Sequence, residues 1–95
     1  MPITHIIQGA SVAMSILFLS TLKALNPRGE GFTSSSTAGC VLDFTQQLQA
    51  GETANAGAWL WRACGHELGD RHPATRDIAA WLDCTDHPLA GTFSR

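Results

Sequence analysis

Charged residues are scarce in this chain of 95 residues. Asp, Glu, Lys and Arg make up 15% of the sequence and hydrophobic residues 44%, whereas typical soluble domains are roughly 25% charged. A monomer with so few charged residues would have a surface that is poor in polar groups. The composition therefore favours a protein partner or self-association. The formal net charge is -2 and the six Lys and Arg residues form no cluster. We therefore expect no nucleic-acid partner, because such proteins concentrate basic residues in one region.

Cysteine and catalytic motifs are sparse as well. Three cysteines stand at positions 40, 64 and 84, which does not fit the dense and even pattern of a secreted disulfide scaffold. We expect reduced thiols and a cytoplasmic location. No oxyanion loop, phosphate-binding loop or cofactor motif is recognisable. The sequence therefore predicts no enzyme, no catalytic residues, no cofactor and no small-molecule substrate.

The chain also lacks sustained strand alternation, hairpin turns and internal repeats. Its length allows one domain with a modest core, and helical periodicity predicts an all-α domain of four helices. A flexible connector over 27–36 follows the long first helix, a three-helix portion spans 37–88, and a tail follows over 89–95. The four predicted helices cover residues 3–25, 38–50, 54–68 and 73–84.

Proline, glycine and hydroxyl residues set these boundaries. Pro27 ends the first helix, because proline disfavours the helical conformation of the residue before it. We expect a Ser or Thr among residues 35–37 to cap the second helix and Gly51 to end it. Thr53 is the candidate cap of the third helix, which Gly69 ends.

Apolar residues recur at helical spacing and predict the core. In the first helix they form a broad face: Ile3, Ile6, Ile7, Ala10, Ala13, Met14, Leu17, Phe18 and Leu25. The second and fourth helices contribute Cys40, Val41, Phe44, Leu48, Ala74, Ile78, Trp81 and Leu82. The third contributes Ala54, Gly57, Ala58, Leu60, Trp61, Cys64, Gly65 and Leu68. We expect Gly57 and Gly65 to allow neighbouring helices to approach closely, and Pro73 to open the fourth helix.

A second apolar row lies on the opposite side of the first helix, where a lone soluble helix would be polar. It consists of Val12, Ile16 and Leu19. In the third helix Trp59 projects beside Arg62, and these two residue types are enriched at interface hot spots. We predict these five residues as partner contacts. The alternatives are that the first helix lies centrally, enclosed by the other three, and that the connector or the tail covers Trp59.

These patterns predict a non-enzymatic protein–protein interaction module. It would act as a homodimer or as a small accessory or inhibitory subunit bound to a larger protein. The first alternative is a single-pass membrane subunit with residues 6–25 in the bilayer, since this stretch has about the length of a span. Its many polar groups make it a poor span.

The second alternative is a small metal-binding protein, because thiolate and imidazole are the usual zinc donors. The candidate donors are Cys64, His66, His72, Cys84 and His87. Their spacing matches no established zinc pattern. Two residues apart on a helix, Cys64 and His66 point about 200° from each other. We therefore expect a buried thiol and surface histidines rather than a metal site.

Overall fold

A computed structural model of the chain describes the backbone of residues 12–85 and the side chains of residues 14–85. Within these residues the chain forms four α-helices and no strand, which confirms the all-α class for that part. The helices are α1 (Val12–Leu25), α2 (Ser35–Gln49), α3 (Thr53–Glu67) and α4 (Pro73–Asp83).

The long first helix matches its prediction only from Val12 onward. Residues 3–11, with the core candidates Ile3, Ile6, Ile7 and Ala10, lie outside the described residues, as does the tail over 89–95. The end of α1 at Leu25, just before Pro27, agrees with the prediction. Among the described residues no helix combines the length and the apolar character needed to cross a bilayer.

Ser34 caps α2, so the expectation of a cap among residues 35–37 is wrong. Ser34 has an extended backbone, and its Oγ accepts hydrogen bonds from the N–H groups of Ser36 at 3.1 Å and Thr37 at 3.4 Å. A cap whose side chain bonds the second and third helical amides is the usual arrangement. Residues 33–37 all carry hydroxyl groups and are all possible caps. In the structure the first of the three serines is the cap.

The starts of α3 and α4 depend on different residues. Thr53 is the first helical residue of α3 rather than its cap, and Glu52 in the cap position makes no side-chain capping bond. At α4, His72 is the cap: its Nδ1 accepts a hydrogen bond from the Ala74 N–H at 3.0 Å. Pro73 takes the first position of α4, as predicted.

Glycines end α2 and α3 as predicted, because both positions need a left-handed backbone. Gly51 has φ +81° and Gly69 has φ +88°, a region that side chains with a Cβ enter at a cost. The Gly51 N–H donates to the Leu48 carbonyl at 3.1 Å. This bond satisfies one of the carbonyls that the last turn of α2 leaves without a helical partner.

α3 lies at the centre of the described structure. α1, α2 and α4 all pack against it, and α1 also packs against α4. The alternative with the first helix at the centre is therefore wrong. Contact with three neighbours buries α3 well beyond its predicted stripe: Ala56 and Ala63 are fully buried, although neither was predicted as core.

Most of the predicted core is confirmed. The buried members are Met14, Phe18, Leu25, Cys40, Phe44, Leu48, Gly57, Ala58, Leu60, Cys64, Ile78 and Leu82. The half-buried members are Leu17, Val41, Ala54, Trp61, Gly65, Leu68, Ala74 and Trp81. Three buried threonines were not predicted, and two of them have hydroxyls that donate to backbone carbonyls, Thr21 at 2.7 Å and Thr75 at 2.8 Å.

Phe18 joins three helices in the core. Its ring centroid lies 5.4 Å from that of Phe44 on α2 and 5.2 Å from that of Trp81 on α4. Both pairs meet edge to face, the geometry that aromatic rings prefer. Trp81 in turn lies against Gly57, where an added Cβ would overlap the indole, so Gly57 permits close approach as predicted.

Gly65 does not have the packing role that the sequence predicted for it. The nearest atom to an added Cβ would be a carboxylate oxygen of Asp70 at 3.4 Å, with no helix neighbour within 4 Å. Asp70 belongs to the turn that follows α3. The glycine at this position therefore faces a turn, and close approach between helices occurs at Gly57.

Candidate protein-binding surface

α1 presents one side to the core and the opposite side to solvent. Met14, Phe18, Thr21 and Leu25 are at most 7% exposed, and their spacing places them in one row along the helix. Ile16 projects from the other side with 59% of its surface exposed. The structure thus leaves uncovered the middle residue of the second apolar row.

The two other members of that row are placed differently. Leu19 is half-buried and packs against the core, so only part of its side chain is available to a partner. Val12 begins α1, and its side chain lies outside the described residues. Ser20 and Lys23 are exposed on the same side. We call Ile16, Leu19, Ser20 and Lys23 the outer face of α1.

Trp59 lies at the edge of α3 beneath Arg62. The indole is half-buried against the core, and the Arg62 guanidinium carbon lies 4.9 Å from the centroid of the ring, a cation–π contact. Arg62 also lies near Cys40 on α2: burial raises the pKa of that thiol, and Arg62 opposes the rise. The cover over Trp59 includes Arg62 itself, while Phe93 of the tail lies outside the described residues.

Leu42 on α2 is a second exposed aliphatic side chain, at 58%. It falls outside the stripe predicted from the sequence and points away from Phe44, two residues further on. Single exposed aliphatic residues are common on soluble proteins. Leu42 therefore supplies a matched control for Ile16, equally exposed but on another helix.

An open depression of about 450 Å³ lies beside the last turns of α3. Its lining residues are Trp61, Arg62, Gly65, His66 and Asp70. The wall combines a guanidinium, an imidazole and a carboxylate around one aromatic ring. Small-molecule sites are usually concave and mostly apolar with few polar groups, whereas three of the five residues that line this open recess have polar side chains.

The candidate metal donors are dispersed. Cys64 is fully buried, and burial raises the pKa of its thiol to about 12. His66 is exposed, His72 caps α4, and Cys84 is exposed beyond the end of α4. Within the described residues no three His, Cys, Asp or Glu side chains are grouped closely enough to hold a metal ion, and His87 lies outside them.

Glu67 holds the connector against the end of α3. Its Oε2 accepts hydrogen bonds from the Thr33 N–H at 3.2 Å and the Thr33 hydroxyl at 2.8 Å. These two bonds lower the pKa of Glu67, and Thr37 and Ser34 contribute to the same shift. The contact joins residues that are 34 positions apart in the chain, and no local sequence pattern predicts it.

Comparison with known proteins adds no assignment. Protein-family models, curated proteins and solved structures gave no match to this chain.

Proposed function

We propose that the protein is a non-enzymatic protein–protein interaction module that binds through the outer face of α1. It acts as a homodimer or as a small accessory or inhibitory subunit on a larger protein. The observation that carries the proposal is the 59% exposure of Ile16, directly opposite the core row of the same helix. Covering an apolar side chain releases about 25 cal/mol for each Å² removed from water.

The low charge of α1 supports this proposal, since Lys23 is its single charged residue. Removing a charged group from water costs free energy unless it is paired. A partner that covers the outer face of α1 meets one ammonium group at the rim and no carboxylate of that helix, so the cost of desolvation is small.

Trp59 and Arg62 form a second contact patch in this proposal. The guanidinium already rests on the indole, so its orientation is partly set before any partner arrives. Side chains that are ordered in advance lose less conformational entropy on binding. We treat this pair as a patch separate from the outer face of α1.

Matched substitutions test the role of Ile16. We expect Ile16→Glu to prevent self-association and Leu42→Glu to leave it unchanged, because the two side chains are equally exposed and only one lies on the proposed surface. Sedimentation velocity over a concentration series measures the assembly. Circular dichroism and thermal melting establish that both variants keep the fold.

A second arm addresses the accessory-subunit form. Tagged wild-type, Ile16→Glu and Leu42→Glu proteins are purified from the native host, and we expect a stoichiometric partner with the first and third but not the second. Equal loss in both variants would mean a general response to added charge. Unfolding of Ile16→Glu would show that the residue belongs to the core. A monomeric wild type with no selectively lost partner would overturn the proposal.

A further inference from the structure

The contact between Glu67 and the start of α2 plays no part in the proposed function. The segment over residues 33–37 reads Thr-Ser-Ser-Ser-Thr and leads into α2, which is 15 residues long. The first turn of a helix carries N–H groups without helical partners and the positive end of the helix dipole, and both favour an anion. The Ser34 hydroxyl accepts from two of these N–H groups, and a carboxylate from the far end of α3 is bonded by Thr33 just before the helix.

Two threonines place hydroxyl groups near this carboxylate. Thr33 donates twice to Oε2 of Glu67. Thr37 is fully buried, its Oγ1 has no hydrogen-bond partner, and it lies close enough to help lower the pKa of Glu67. Oε1 of Glu67 is likewise buried without a partner. A buried hydroxyl therefore lies near the carboxylate in addition to the two donors of Thr33.

The same contact holds the connector in place. Phe32, next to Thr33, packs against the core. Further back, the Gly31 N–H donates to Oδ1 of Asn26 at 3.1 Å. The Thr33–Glu67 bonds fasten the connector to α3, so removing the carboxylate frees the segment that contains Phe32.

We propose that residues 33–37 form an oxyanion-binding site at the start of α2, that the Glu67 carboxylate is its resident ligand, and that this contact latches the connector to α3. The ligand class is a small oxyanion with two or more acceptor oxygens. Such an anion in solution does not displace Glu67, because the resident carboxylate is held at high effective concentration. It binds once the resident carboxylate is removed.

Chemical rescue tests the site directly. We expect Glu67→Ala to lower the melting temperature and to speed exchange of the Thr33 amide about tenfold. Sodium formate, compared with sodium chloride at equal ionic strength, restores part of both. Glu30→Ala, which removes an exposed glutamate of the same connector, is the control and shows no specific response to formate.

Two further variants keep the test decisive. Thr37→Val in the Glu67→Ala background removes the buried hydroxyl at nearly constant volume, and we expect it to abolish the effect of formate. If Glu67→Ala does not fold, Glu67→Gln is used, and faster exchange confined to residues 33–37 supports the latch. Equal formate effects in Glu67→Ala and Glu30→Ala, or wild-type exchange of the Thr33 amide in Glu67→Ala, would overturn it.

Discussion

α1 and α4 pack against each other and against α3, yet they divide their surfaces differently. α4 buries one side and presents a polar opposite side, with Arg76, Asp77 and Asp83 exposed. α1 buries an equally regular row but presents Ile16 on its outer face. In α4 the apolar side is buried by the fold and polar side chains face solvent. In α1 the outer face still exposes the apolar side chain of Ile16, which a partner can cover.

The difference comes from the distribution of charge along the two segments. Three of the 11 residues of α4 are charged, whereas α1 has Lys23 alone among 14. A helix that packs on one side only is usually polar on the other. The composition of α4 follows this rule, whereas that of α1 departs from it.

The largest effect is expected from the buried sides of both helices. Phe18→Ala should lower the free energy of unfolding by about 3–5 kcal/mol and Ile78→Ala by about 2–5 kcal/mol, since both side chains are fully buried and truncation leaves a cavity. Urea unfolding of each variant measures this. A loss below about 1 kcal/mol at Phe18 would mean that α1 is not an integral part of the core.

An intermediate effect is expected where α4 meets α3. Gly57→Ala places a methyl group on the Trp81 ring, and overpacking of this kind costs about 1–3 kcal/mol. Gly39→Ala on α2 is the control, because nothing lies within 4 Å of its added Cβ and the change should stabilise by about 0.4–1 kcal/mol. Thermal melting compares the two. Equal behaviour would contradict the close packing of α4 on α3.

The smallest effect is expected from the outer faces. Ile16→Lys and Ala80→Lys should each change the stability of the dilute protein by no more than about 1 kcal/mol, because both positions are exposed and surface changes are usually small. Urea titration at low protein concentration measures this. A much larger loss of stability in Ile16→Lys alone would show that Ile16 belongs to the core. The proposed difference between the outer sides of α1 and α4 would then be wrong.

Local patterns account for the parts of the fold that were predicted correctly. The stripe of Cys40, Phe44 and Leu48 follows from helical spacing. The cap of α2 was misplaced because several neighbouring hydroxyl residues satisfy the same local rule. The cap of α3 was misplaced because Glu52 takes that position without a side-chain capping bond. Ala56 and Ala63 were missed because alanine fits buried and exposed positions alike, so its burial depends on which helix lies in the middle.

The partner-contact residues show the same limit. The helical period alone places Ile16 and Leu19 on one side of α1. The structure separates them, since neighbouring core groups partly cover Leu19 and leave Ile16 open. The contact of Glu67 with Thr33 could not be predicted from the sequence. A hydrogen bond between distant segments produces no periodic pattern of residues.

The sequence by itself determined the helical class, the side of each helix that faces the core and the glycines that end α2 and α3, because these depend on local spacing and backbone preference. Only the tertiary structure decided that α3 is central, that Arg62 also lies near Cys40 on α2, and that Glu67 holds the connector. Each of these depends on the distances between segments or side chains in the assembled molecule. Such distances follow from how all four helices pack together.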